Sequence, residues 1–142
     1  MNLKAIDHIC FAVRDLAKAR IPYEKDLGLE PALEYTSKKE GIKVVRYYVG
    51  EVAVELMEPT SPDTDVGRFI EKKGEGFFLI SYRVDDADKA LGELKKKGVR
   101  TIDERPRELM GNRYAFIHMP HELGGVLTEV LDGKFDKKKK PE

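Results

Sequence analysis

Two glutamates stand where an apolar strand would not ordinarily put them. Glu55 lies within Val52-Ala53-Val54-Glu55-Leu56-Met57, and Glu129 lies within Val126-Leu127-Thr128-Glu129-Val130-Leu131. On the strand period Glu55 shares a face with Ala53 and Met57, and Glu129 shares one with Leu127 and Leu131. An ionised carboxylate on such a face is costly unless a cation, a proton or a hydrogen-bond donor compensates it. A divalent cation would compensate both, and each carboxylate is chemically able to take up or return a proton. His8, on an alternating segment near the start, adds an imidazole to the same candidate chemistry.

An internal repeat ties these residues together. Residues 6–16, Ile-Asp-His-Ile-Cys-Phe-Ala-Val-Arg-Asp-Leu, align with residues 77–87, Phe-Phe-Leu-Ile-Ser-Tyr-Arg-Val-Asp-Asp-Ala, and the Glu55 segment aligns with the Glu129 segment. His8, Glu55 and Glu129 thus occupy related polar positions, whereas Leu79 stands where the second repeat should mirror His8. A metal site built on this symmetry has lost one ligand, because leucine cannot bind a metal. Cys10 shares His8's face, and its expected role is core packing. His118 and His121 sit too close together to resemble helical metal motifs and are expected at a strand end and turn. Arg46, Tyr47, Arg113 and Tyr114 fall on or near strands expected to edge a cleft, where arginine suits an acidic or phosphorylated substrate.

The bulk composition narrows the class. A chain of 142 residues suffices for one ordinary domain or two small modules sharing a core. With 41% hydrophobic and 37% charged residues and zero formal net charge, it reads as a soluble globular protein with no electrostatic call for nucleic acid. The single cysteine excludes an intrachain disulfide framework. No stretch approaches the roughly 18 apolar residues of a membrane span, and the start lacks a signal-peptide core, so a cytoplasmic location is expected. Neither a Walker loop nor a Gly-x-Gly-x-x-Gly motif occurs.

The elements that must position these residues follow one order twice. Alternation predicts a first strand over 5–13, then a helix capped by Asp15, made irregular by Pro22 and ended at Gly28. Strands are expected over 31–35, 42–49 and 52–57, and a short helix around Val66, Phe69 and Ile70 ends at Gly74. The second half predicts strand 77–84, helix 86–97, strand 99–103, a long turn through Pro106 and Gly111, strand 113–118 and a last strand after Gly125. The fold class is therefore α+β, with two tandem βαβββ modules forming a curved mixed sheet around a central cleft. The modules are expected at 1–58 and 76–132, joined by a linker with a short helix at 59–75. The charged segment 133–142 has too little apolar content to fold alone.

These motifs resemble the vicinal oxygen chelate superfamily and, within it, its methylmalonyl-CoA epimerase-like branch. The resemblance covers nearly the whole chain. It is carried by Asp7-His8-Ile9, by Asp26-Leu27-Gly28-Leu29-Glu30, by the run from Val54-Glu55-Leu56-Met57-Glu58-Pro59 to Gly74-Glu75-Gly76, by Leu94 to Val99, and by Gly124-Gly125-Val126-Leu127. It implies a metal held by a first-strand histidine, a fourth-strand Gln or Glu, a second histidine and a terminal glutamate; His8, Glu55 and Glu129 match three of these. Where such epimerases usually read Gly-Glu-Gly-Ile-His-His-Ile, this chain reads Gly74-Glu75-Gly76-Phe77-Phe78-Leu79-Ile80. The family's Glu-Gln-Gly-Val-x-Val turn is altered to Lys39-Glu40-Gly41-Ile42-Lys43-Val44.

The resemblance implies metal-assisted proton transfer alpha to the thioester carbonyl of a branched acyl-CoA such as methylmalonyl-CoA. The divalent cation would be cobalt, manganese, zinc or similar, weakened or lost through Leu79. Glu129 is the expected proton carrier, with Glu55 as ligand or opposing acid, and Arg46, Tyr47, Arg113 and Leu79 as substrate contacts. A homodimer is implied by resemblance only. A second reading keeps the pocket and drops the chemistry, because Leu79 with Phe77 suits an apolar ligand. A third is another reaction of the superfamily, though iron ring cleavage is disfavoured by the absence of a two-histidine, one-carboxylate set at the aligned positions.

Overall fold

The computed structural model describes residues 1–118 and 123–133. Its strands form one mixed sheet, and with the helices the class is α+β, as expected. The chain makes two compact units, Ile9–Phe78 and Met1–His8 together with residues from Leu79 onward, so that the first strand, β1 (Ala5–Ala12), contributes to both.

In the unit starting at Ile9, helix α1 (Leu16–Ile21) begins where the Asp15 carboxylate accepts the Lys18 N–H. Pro22 has no N–H to give the preceding turn, and the chain widens into a π-helical turn over Pro22–Asp26, closed by Leu27 N–H on Pro22 O at 3.0 Å. Strands β2 (Pro31–Ser37), β3 (Ile42–Val49) and β4 (Val52–Pro59) then form an antiparallel meander, with β1 next to β4. One face carries Val45, Tyr47 and Leu56 against Leu16, Ala19 and Tyr23. By alternation Arg46 and Glu55 lie on the other face, directly opposite each other in the β3–β4 ladder. Helix α2 (Asp65–Lys73) is capped by Thr64, whose hydroxyl accepts the Gly67 N–H, and it packs Phe69 edge-on against Phe78.

In the other unit, β1 stands beside β5 (Gly76–Arg83), followed by β8 (Leu127–Asp132), β7 (Asn112–Ile117) and β6 (Arg107–Leu109). β5 and β8 run parallel, pairing Leu79 with Leu127 and Ser81 with Glu129. Helix α3 (Ala87–Lys96), capped by Asp86, buries Ala90, Leu91 and Leu94 against Ala115, Ile117 and Val130. The strand expected over 99–103 does not form. A single bridge, Thr101 to Ile117, is made there, with Ile102 N–H on Phe116 O and His118 N–H on Arg100 O, while the Phe116 N–H goes to the Asp103 carboxylate instead of a backbone carbonyl. The short β6 instead follows Pro106, and a two-residue Met110-Gly111 turn, with φ 54° and 80°, returns it to β7. His121 and the charged segment from 134 lie outside the described residues.

Candidate active site

Each glutamate is held by a donor from the same relative place in the repeat. Ser81 Oγ donates to Glu129 Oε1 at 2.7 Å, and Cys10 Sγ donates to Glu55 Oε1 at 3.3 Å. Cys10 and Ser81 are aligned residues, as are Asp15 and Asp86, the caps of α1 and α3. The repeat thus extends from backbone order to hydrogen-bonding role.

Around Glu129 the group is polar and nearly dry. The buried Asp7 carboxylate lies 2.7 Å from His8 Nδ1 and accepts from Arg83 Nη2 at 2.5 Å. With Nδ1 engaged, His8 turns Nε2 towards Glu129 Oε1, 3.7 Å away. A carboxylate on one imidazole nitrogen fixes the ring and raises the basicity of the other. Asp7 and Glu129 bring two carboxylates to His8, and Arg83 brings a guanidinium to Asp7. Leu79, buried, lies two residues before Ser81 on β5 and supplies no donor.

Around Glu55 the balance is different. Arg46 Nη1 donates to Glu55 Oε2 at 2.7 Å, and both side chains are 1% exposed. Arg46 Nε reaches Tyr48 Oη at 3.2 Å, and the guanidinium lies 5.1 Å from the Tyr48 ring centroid. The compensation that a buried carboxylate requires therefore comes here from a guanidinium and a thiol. Arg46, expected as a substrate contact, is the buried partner of Glu55.

Two other expected contacts lie elsewhere. Tyr47, next to Arg46 in the strand, points to the opposite face, where its hydroxyl donates to Glu24 Oε2 at 2.6 Å and its ring stacks on Tyr23. Burial, and then the Glu24 carboxylate, push its phenol pKa up; Tyr47 and Arg20 in turn hold Glu24 below the usual carboxylate range. Arg113 donates to Asp132 at 2.8 Å and to Asp86 at 3.2 Å, while Asp132 also accepts the Ala87 N–H, so this arginine fastens the start of α3. His118 is exposed. Asp7, Arg83 and the hydroxyl of Ser81 were not singled out from sequence; the alignment of Ser81 with Cys10 was the available signal.

Residues 7–116 match the model of the glyoxalase/bleomycin resistance protein/dioxygenase superfamily. The chain belongs to this superfamily. Among its relatives, the uncharacterized protein YqjC of Bacillus subtilis (strain 168) is 36% identical over 135 residues, covering 94% of this chain and 96% of that one. The mitochondrial methylmalonyl-CoA epimerase of Homo sapiens is 33% identical over 131 residues, covering 91% of this chain and 74% of that one. A solved structure of methylmalonyl-CoA epimerase in complex with methylmalonyl-CoA and NH4+ matches with TM-score 0.86 at 32% identity, covering 93% of this chain and 96% of that one. The superfamily's vicinal oxygen chelate character raises the question of a metal, and the two glutamates answer it differently. His8 Nε2 and Glu129 Oε1 fit a divalent cation as an imidazole and a carboxylate with charge to lend. Glu55 offers a carboxylate that already carries the Arg46 guanidinium.

Proposed function

We propose that the protein is an epimerase-like isomerase that moves a proton alpha to the thioester carbonyl of a branched acyl-CoA, methylmalonyl-CoA being the instance named among its relatives. The observation carrying this reading is the acid–base pair of Glu129 and His8, one fixed by Ser81 and the other by Asp7. Glu129 accepts the proton from the alpha carbon, and the C–H electron pair passes into the enolate. Ser81 keeps the carboxylate oriented for that transfer, and a hydrogen bond from protonated His8 Nε2 stabilises the enolate oxygen. The arrangement puts the base and the oxyanion donor on groups already fixed before substrate arrives. With Nε2 unprotonated, a divalent cation held by His8 and Glu129 would take the place of that proton and draw charge from the thioester oxygen in the same sense. Glu55, tied to Arg46 and Cys10, orders its surroundings.

This reading includes a homodimer in the cytoplasm and no nucleic-acid or membrane partner. Among the described residues no helix is long and apolar enough to cross a membrane. The second reading, a binding protein on the same fold, is favoured by one observation: Leu79 fills the place that the resemblance gives to a histidine. One experiment separates the two. Methylmalonyl-CoA is incubated with the protein in D2O, and alpha-deuterium incorporation is followed by mass spectrometry. The isomerase incorporates label, and Glu129→Gln lowers the rate by about 10²–10⁴. Saturable binding of the thioester with no incorporation would establish the binding protein.

A further inference from the structure

We propose that Arg46 is the resident countercation of Glu55, and that this pair takes Glu55 out of metal binding altogether. Arg46 and Glu55 are Cα partners across β3 and β4, so the backbone register itself presents the guanidinium to the carboxylate. Their side chains meet at 2.7 Å with 1% exposure each, where water neither screens nor competes. Oε2 is occupied by Nη1–H of Arg46, and Oε1 accepts from Cys10. A divalent cation on Glu55 would have to share oxygens that each already accept a hydrogen bond, and would lie beside a fixed positive charge. Tyr48 holds that charge in place through its hydroxyl and its ring face. The guanidinium is permanently charged at any pH the fold survives, so Glu55 never becomes available by titration of its partner. A site that in a metal protein would load and unload is here filled by the chain's own side chain. This holds whether or not the reaction proposed above is the one catalysed.

The test is a cobalt(II) titration of the full-length protein, read by visible absorption and calorimetry rather than by turnover. Wild type and E55Q are expected to have the same affinity within twofold, or both to show no binding at millimolar cobalt. R46M and R46Q, the latter keeping an amide donor for Glu55 while removing the charge, are expected to bind cobalt at least tenfold more tightly than wild type. Adding E55Q to either should abolish the gain. A tenfold or greater loss of cobalt affinity in E55Q alone would overturn the proposal, because Glu55 would then be a working ligand beside Arg46. So would unchanged affinity in folded R46Q.

Discussion

Removing Arg46 should expose how much of the fold rests on one charge. In Arg46→Met the Glu55 carboxylate stays at 1% exposure and loses its nearest cation, a partner at 2.7 Å. Because both groups are buried, no discount for solvent screening applies, and breaking such a pair costs about 3–5 kcal/mol. For a chain of this length each kcal/mol lowers Tm by roughly 2–4 °C, so the expected fall is about 6–20 °C. The double variant Arg46→Met with Glu55→Met removes both charges and keeps the volume, and it should return to within about 1 kcal/mol of wild type or exceed it. The assay is urea unfolding followed by circular dichroism, with EDTA present so that no metal substitutes for the lost guanidinium. Equal m-values across the set confirm that the same surface unfolds. A single variant that loses less than about 1 kcal/mol, or a double variant as unstable as the single, would refute the reasoning by showing that the pair is not a buried, mutually compensating unit.

The remaining expectations concern the other positions. Leu79→His should raise cobalt affinity at least tenfold through His8 and Glu129, and the gain should vanish on adding His8→Ala; unchanged affinity would mean that Leu79 does not stand where the repeat places it. Ser81→Ala leaves Glu129 without its 2.7 Å hydroxyl donor at a cost of about 1–3 kcal/mol, and deuterium incorporation should slow with it. The Tyr47–Glu24 bond should shape both limbs of the pH–stability curve. Glu24, held low in the fold, contributes stability above its unfolded value near 4.3 and loses it as pH falls through the folded value; Tyr47, held high, contributes below about 10 and loses it as pH rises. Tyr47→Phe should flatten both limbs in thermal melts across pH, and identical profiles would count against the bond. Gly67→Ala would put a Cβ 2.5 Å from the Ser61 carbonyl oxygen and should lower Tm, with a silent substitution showing that the turn before α2 yields freely.

Much of this arrangement was legible in residue order, and the parts that were not have physical reasons. Alternation placed Glu55 with Ala53 and Met57, and the repeat singled out His8, Glu129 and the anomaly at Leu79. The turn Gly50-Glu51 also permits counting back from the pair Val49–Val52 to Arg46 opposite Glu55, so the buried ion pair was written in the register. Arg46 reads as a surface group only while its cross-strand neighbour is left out. Tyr47 follows by parity, since a neighbour of Arg46 on a strand must point to the opposite face. Arg113 was less accessible, because its partners Asp86 and Asp132 come from a helix cap and from the end of another strand. At 99–103 one side chain, Asp103, competes with a backbone ladder by taking the Phe116 N–H. Propensity weighs residues singly and does not anticipate that competition.

The division of β1 between two units has a consequence for synthesis. Residues Met1–His8 leave the ribosome well before the other members of their unit, which begin only at Leu79, about seventy residues later. At about 5–20 residues per second the Lys4 N–H waits roughly 4–16 s for the Arg83 carbonyl that accepts it in the finished protein, and His8 waits longer still for Glu129. The amino-terminal half-strand is thus the piece of its unit that waits longest for partners, and a nascent chain stalled before β8 carries the imidazole of the candidate pair without its carboxylate.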